Sequence, residues 1–112
     1  VYWVLTLAVD QMEKFKALIR KLVAATEKET GVVQYEYNIS HDQKTVDIYE
    51  RYIDSKAAVY HVEKTFGRPS KEFLSLPKPT RWVIYGMPSN ELKQAIADFH
   101  PIYMTPLDGF IR

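Results

Sequence analysis

Residues 1–9 are apolar at every position except Thr6 and rich in β-branched and aromatic side chains. Such a run predicts a central strand covered on both faces. Met12, Phe15, Leu18, Ile19, Leu22 and Val23 then recur at intervals of three and four, the signature of an amphipathic helix. Asp10 and Glu13 have the spacing of a capping box at its start, and Gly31 stands where a C′ glycine is expected at its end.

The period then changes. Residues 32–40 and 45–53 alternate with period two around His41, Asp42, Gln43 and Lys44, which predicts an antiparallel hairpin. Setting Ile39 opposite Val46, Tyr37 opposite Ile48, Tyr35 opposite Glu50 and Val33 opposite Tyr52 collects one apolar face with a single carboxylate on it. A slip of one residue mixes the faces, so the first register is preferred. Gln34, Glu36, Asn38, Asp47, Tyr49 and Arg51 fall on the other, mixed face.

Asp54 or Ser55 is placed to cap a second helix through Ala57, Ala58, Val59, His61 and Val62. Gly67 and Pro69 break it before a shorter turn around Phe73, Leu74 and Leu76. Residues 81–86 read as a fourth strand, residues 91–99 as a short helix, and the proline-punctuated stretch from His100 onward as an extended arm. The order β-α-β-β-α-β defines a ferredoxin-like α+β domain over residues 1–86, with a C-terminal helix and arm over 87–112. With both long helices on one sheet face, the other needs cover, and a second copy related by a two-fold axis is its simplest source. The arm carries Phe99, Ile102, Tyr103, Met104, Leu107, Phe110 and Ile111, too apolar for a free tail, and is expected to swap onto that partner.

Composition narrows the chemistry. The chain has 112 residues, enough for one core, and a formal net charge of +1 without long blocks of like charge. Nucleic acid and anionic membranes are therefore not expected partners. No cysteine is present, which removes disulfides and thiolate metal sites. Three unclustered histidines argue against a dedicated metal centre, and no cofactor motif is present, so no cofactor is assigned. With neither a membrane-spanning run nor a secretory leader, a cytoplasmic setting is the default expectation.

Two stretches carry a resemblance. Glu29-Thr30-Gly31 followed by Tyr35, and Tyr49-Glu50-Arg51-Tyr52 followed by His61 nine residues after Tyr52, resemble the antibiotic biosynthesis monooxygenase family of dimeric α+β barrels. The resemblance spans about residues 1–86 and implies a homodimer and a cofactor-independent monooxygenase of phenolic, quinol-like or polycyclic aromatic molecules. The chain departs from the family pattern at Tyr52, where tryptophan is common, and in having alanines where polyketide oxygenases carry a helix tyrosine.

The space between sheet and helices should be lined by Tyr35, Tyr37, Tyr52, Phe66 and Trp82, with Glu50 and His61 projecting into it: a small apolar or aromatic molecule is the expected ligand. Glu50 is the anomaly, since a lone carboxylate on an apolar face must pair, reach solvent or hold its proton more tightly. It is a candidate general base, against the plainer reading that it accepts a hydrogen bond from Tyr35 or pairs with a basic residue. Imidazole titrates near neutrality, so His61 is a candidate for taking a phenolic proton or ligating haem iron, against a purely structural role. A non-catalytic dimeric binding or stress-response protein and a haem-binding variant stand as alternatives.

Overall fold

The computed structural model describes residues 1–65 and 75–112; Phe66 and the turn anticipated around Phe73 and Leu74 lie outside them. Five strands, β1 (Tyr2–Val9), β2 (Val32–Ile39), β3 (Thr45–Tyr52), β4 (Pro77–Tyr85) and β5 (Ile102–Met104), form one sheet in the order β2-β3-β1-β4-β5. All neighbours are antiparallel except β4 and β5, which run parallel. Helix α1 (Met12–Glu27) follows β1, α2 (Ser55–Tyr60) follows β3 and runs into a π-helical turn over His61–Thr65, and α3 (Asn90–Ala95) connects β4 to β5. This is the expected ferredoxin-like order with one added parallel crossover.

The strand β1 is central, as its apolar run requires. Its inward residues Leu7 and Val9 join Phe15, Leu18 and Leu22 of α1 and Val46 and Ile48 of β3 in one core cluster. Trp3 joins Tyr52, Ala58, Val59, Ile84, Leu92 and Ile96 in a second, beneath α2 and α3. The opposite face of β1 is not packed this way. There Tyr2 stacks between Tyr49 and Tyr85, with centroids 5.9 and 4.8 Å away, and Arg51 sits 4.6 Å over its ring.

Several local expectations need correction. The capping box at Asp10 does not form: Gln11 occupies the N-cap position without a side-chain bond. That places Lys14, not Glu13, at the third helical position, and Glu13 pairs instead with Lys16 at 3.3 Å. Gly31 is not a left-handed C′ residue, since Lys28 ends α1 in ordinary right-handed geometry. Its role is close approach, because a Cβ there would lie 2.5 Å from the Ala57 Cβ. In the hairpin, Ile39 faces Val46, Tyr37 faces Ile48 and Tyr35 faces Glu50, but an irregularity between Val32 and Gln34 puts Val32, not Val33, opposite Tyr52. Val33 is pushed outward and is 61% exposed, the usual fate of a bulged residue.

The fourth strand starts earlier than residue 81. Pro77 and Pro79 are accommodated because one opens the strand and the other lies beside a register shift, and Thr80 Oγ1 donates to the Thr6 carbonyl there at 3.2 Å. Asp54 caps α2 by accepting from the Ala57 amide at 2.9 Å, as expected. Ser89 caps α3 through the Leu92 amide at 3.1 Å. The first part of the arm adds β5 to the sheet, with Ile102 beside Val83 and Met104 beside Tyr85. Beyond it, Leu107, Phe110 and Ile111 are exposed.

The contact of Gly31 with Ala57 fixes how closely the turn after α1 approaches α2. Gly31→Ala should destabilise the fold by roughly 1–3 kcal/mol through overpacking, measurable by denaturant unfolding, and Ala57→Gly in the same chain should recover part of the loss.

Candidate functional site

Glu50 points inward from β3, the alternation that placed it on the apolar face of the hairpin, and it is 5% exposed. Tyr52, two residues on and on the same face, donates its hydroxyl to Glu50 Oε1 at 2.5 Å. Facing them, His61 opens the π-helical turn after α2 and is 3% exposed. Such turns shift one residue out of α-helical register and are frequent where a side chain must be aimed at a site. His61 Nε2 lies 3.5 Å from Glu50 Oε1, and Nδ1 lies 2.8 Å from Oε2 of Glu29. The imidazole is thus held between two carboxyl groups whose side chains are 6–7% exposed.

Glu29 was not among the residues singled out for chemistry. Its signal was the Glu29-Thr30-Gly31 turn, and the structure supplies the reason for that spacing. Gly31 lets the turn press against Ala57, one turn of helix before His61, and this brings the Glu29 carboxylate to the ring. A carboxylate accepting from Nδ1–H selects the tautomer that leaves Nε2 as the basic nitrogen, aimed at Glu50.

The tyrosines complete the surround. Tyr35 and Tyr37 share a hydroxyl–hydroxyl bond of 2.7 Å, and the Tyr35 and Tyr52 rings lie 5.3 and 5.7 Å from the His61 ring. Burial pushes the hydroxyls of Tyr35, Tyr37 and Tyr52 up from the ordinary phenol value, and the nearby Glu50 charge adds to the rise. They are neutral donors and walls. Burial likewise raises the Glu50 carboxyl above its ordinary 4.5, against the partial relief of His61 and the Tyr52 hydroxyl. Trp3 Nε1–H lies near enough to favour the charged form of Glu50, short of a hydrogen bond of ordinary geometry.

Tyr35, Tyr37, Glu50, Tyr52 and His61 are therefore brought together. Trp82 is one ring removed, edge-on to Trp3 at 5.4 Å, while Trp3 packs on Tyr52 at 4.9 Å. His41 and His100 are exposed and distant in role. Two clefts flank the cluster and both reach Glu29. One, of about 1100 Å³, lies between the end of α1 and α2, and the other, of about 330 Å³, runs between the last turn of α1 and the bulged start of β2 past Thr26 and Tyr35. Among the described residues no group of three His, Cys, Asp or Glu side chains is arranged to hold a metal ion, and no helix is long and apolar enough to cross a membrane.

The same fold is seen in solved structures, several of them named antibiotic biosynthesis monooxygenases. The structure of MupZ from Pseudomonas fluorescens superposes with a TM-score of 0.86 at 20% identity, covering 99% of this chain and 88% of that one. A putative antibiotic biosynthesis monooxygenase from Bacteroides thetaiotaomicron gives a TM-score of 0.61 at 18% identity over 69% of this chain and 78% of that one. One from Nitrosomonas europaea gives 0.51 at 20% identity over 88% and 84%. At these identities the likeness shows a shared fold. No protein-family model matches the sequence, and no curated protein does.

A buried carboxyl whose folded value is raised binds its proton more tightly folded than unfolded. Its contribution to stability is therefore whole below the unfolded value and is lost as pH climbs from there through the folded value. Glu50→Gln removes this loss. Thermal melts should show the variant gaining on the parent between pH 5 and pH 8; parallel melting curves at the two pH values would contradict a raised Glu50.

Proposed function

We propose that this chain is an enzyme that carries out general acid–base chemistry on a small, largely apolar molecule. His61 is the base, Glu29 positions it, and Glu50, steadied by Tyr52, is the acid. The observation that carries this reading is the buried line Glu29–His61–Glu50, with contacts of 2.8 and 3.5 Å on the two sides of one imidazole. An imidazole nitrogen set against a carboxyl that burial holds above its ordinary value is the pairing of groups that proton transfer requires.

The fold neighbours named as monooxygenases support a specific form of it: cofactor-independent oxygenation of a phenolic, quinol-like or polycyclic aromatic substrate. His61 Nε2 takes a proton from the substrate, the electron-rich anion reduces molecular oxygen and combines with it as a peroxide anion, and His61 returns its proton to give the hydroperoxide and the free base. Loss of the remaining C–H proton to the base, with protonation of the departing hydroxide by Glu50, leaves a carbonyl and one water. Substrate and oxygen supply all the electrons. The presence of an acid beside the base also favours a second form, in which protons move and no oxygen is consumed, as in addition or elimination at a carbon–oxygen bond. A haem-ligating His61 has less support, because its two ring nitrogens face carboxyl groups. A purely binding role uses the pairing of Glu50 with His61 only to offset burial of the carboxyl, and leaves its capacity to pass a proton idle.

Oxygen uptake with a panel of hydroquinones and anthrones separates the forms. The oxygenase form predicts uptake that falls about 100-fold or more in His61→Ala and comparably in Glu50→Gln. Uptake absent across the panel removes that form, and turnover of any substrate unaffected by either variant removes the acid–base assignment.

The same proposal includes a homodimer. Among the described residues no helix packs on the face of the sheet bearing Tyr2, Tyr49 and Tyr85, and the exposed apolar residues beyond Met104 continue from β5 at its edge. Eight extended residues, 105–112, reach about 26 Å, more than the ~19 Å between the outer strands of a five-stranded sheet. Sedimentation at micromolar concentration should give the mass of two chains, and deletion of residues 105–112 should move the equilibrium toward the monomer. A monomeric parent, or a dimer indifferent to the deletion, contradicts the respective part.

A further inference from the structure

The chain has two tryptophans, and the indole Nε1–H of each is buried without a hydrogen-bond partner. Indole is a donor only, so neither group is satisfied by rotating or by changing protonation. Leaving a buried donor unmade is destabilising, and such groups in a folded protein call for an explanation. Thr26 Oγ1 is the other such side-chain atom among the described residues, and it lies by Tyr35 at the far side of the cluster.

The tryptophans are not scattered. Trp3 on β1 and Trp82 on β4 occupy neighbouring strands of the helix-covered face and meet edge-on at 5.4 Å. Trp3 is 1% exposed and packs at 4.9 Å on Tyr52, the residue that holds Glu50. Its N–H lies near the Glu50 carboxyl without bonding to it in ordinary geometry. On the other side Trp82 carries the ring of Phe99 at 5.5 Å. The result is an aromatic wall with two unused donors, next to the carboxyl assigned as the acid.

We propose that Trp3 and Trp82 are the hydrogen-bond donors of the ligand site, and that the ligand is a neutral apolar molecule whose acceptor oxygen, a carbonyl or ether, they receive beside Glu50. This rests on the acid–base reading and extends it. The donors fix the oxygen at which Glu50 delivers its proton, and they stabilise the negative charge that gathers there during reaction. The surrounding rings take the apolar body of the molecule. Trp82 and Trp3 are thereby binding residues, and the C-terminal segment, through Phe99, forms part of the wall.

Two tryptophans give two indole N–H resonances, so the full-length protein reports on each directly. Titration with cyclohexanone should move both downfield, whereas methylenecyclohexane, of the same shape but without the acceptor, should not. Trp82→Phe keeps the aromatic wall and removes one donor; it should weaken cyclohexanone binding about three- to tenfold while the Trp3 resonance still responds. The proposal is overturned if neither resonance moves up to the solubility limit of cyclohexanone, or if both ligands move them equally. It is likewise overturned if Trp82→Phe binds cyclohexanone as tightly as the parent. His61→Ala separates this claim from the one it rests on. An indole response kept in a chain whose turnover never depended on His61 leaves the donor site standing and removes the acid–base reading. Turnover lost with His61 but silent indoles does the reverse.

Discussion

Everything at the centre of this molecule follows from burying the Glu50 carboxyl. The alternation of β3 sends Val46, Ile48, Glu50 and Tyr52 to the same face, and three of the four belong in a core. The fourth is desolvated with them because the sheet cannot pack against its helices and leave one inward residue behind. A carboxyl in that position is tolerable only with a hydrogen bond, a nearby cation or a retained proton. The structure supplies the hydrogen bond through the Tyr52 hydroxyl, sets the His61 ring 3.5 Å from the carboxyl, and through burial itself tightens the carboxyl's hold on its proton.

That constraint then propagates outward. His61 has to stand opposite Glu50, and the π-helical turn at the end of α2 places it there. Its far nitrogen would be a buried polar atom in its own right, and Glu29 answers it from a turn 32 residues away in the chain. The turn comes that close because Gly31 has no side chain to hold it off Ala57. One glycine, one π-helical turn and one inward carboxylate thus make a single arrangement in which neither carboxyl meets the other except through the imidazole. Structure and chemistry coincide here: the groups that make the buried charge tolerable are those that can pass a proton.

Much of this was legible in the chain. The hairpin register can be read because only one pairing keeps the apolar residues on one face, and that alternation alone puts Glu50 inside. It failed at Val33 because Val32 and Val33 are both apolar, so nothing in the pattern reveals which of them is bulged. Glu29 escaped because its role depends on the direction of a side chain in a three-residue turn, which periodicity does not report. Gly31 was recognised as special for the wrong reason: glycine marks both left-handed turns and close contacts, and the residues around it do not distinguish them. The strand β5 was missed because three residues between prolines carry no alternation. Trp3 was read as strand core, which it is, and its unpaired N–H appears only when its neighbours are known.

The central claim is that His61 is held in one tautomer by Glu29 so that its other nitrogen addresses Glu50. Long-range nitrogen–proton correlation NMR of the imidazole rings reads this directly, with exposed His41 and His100 as internal references. The account predicts that neutral His61 carries its proton on Nδ1, with a low-field hydrogen bonded to Glu29, and that Glu29→Gln disturbs this signal while leaving the other two rings unchanged. A His61 protonated on Nε2, or exchanging between tautomers like the exposed rings, would contradict it.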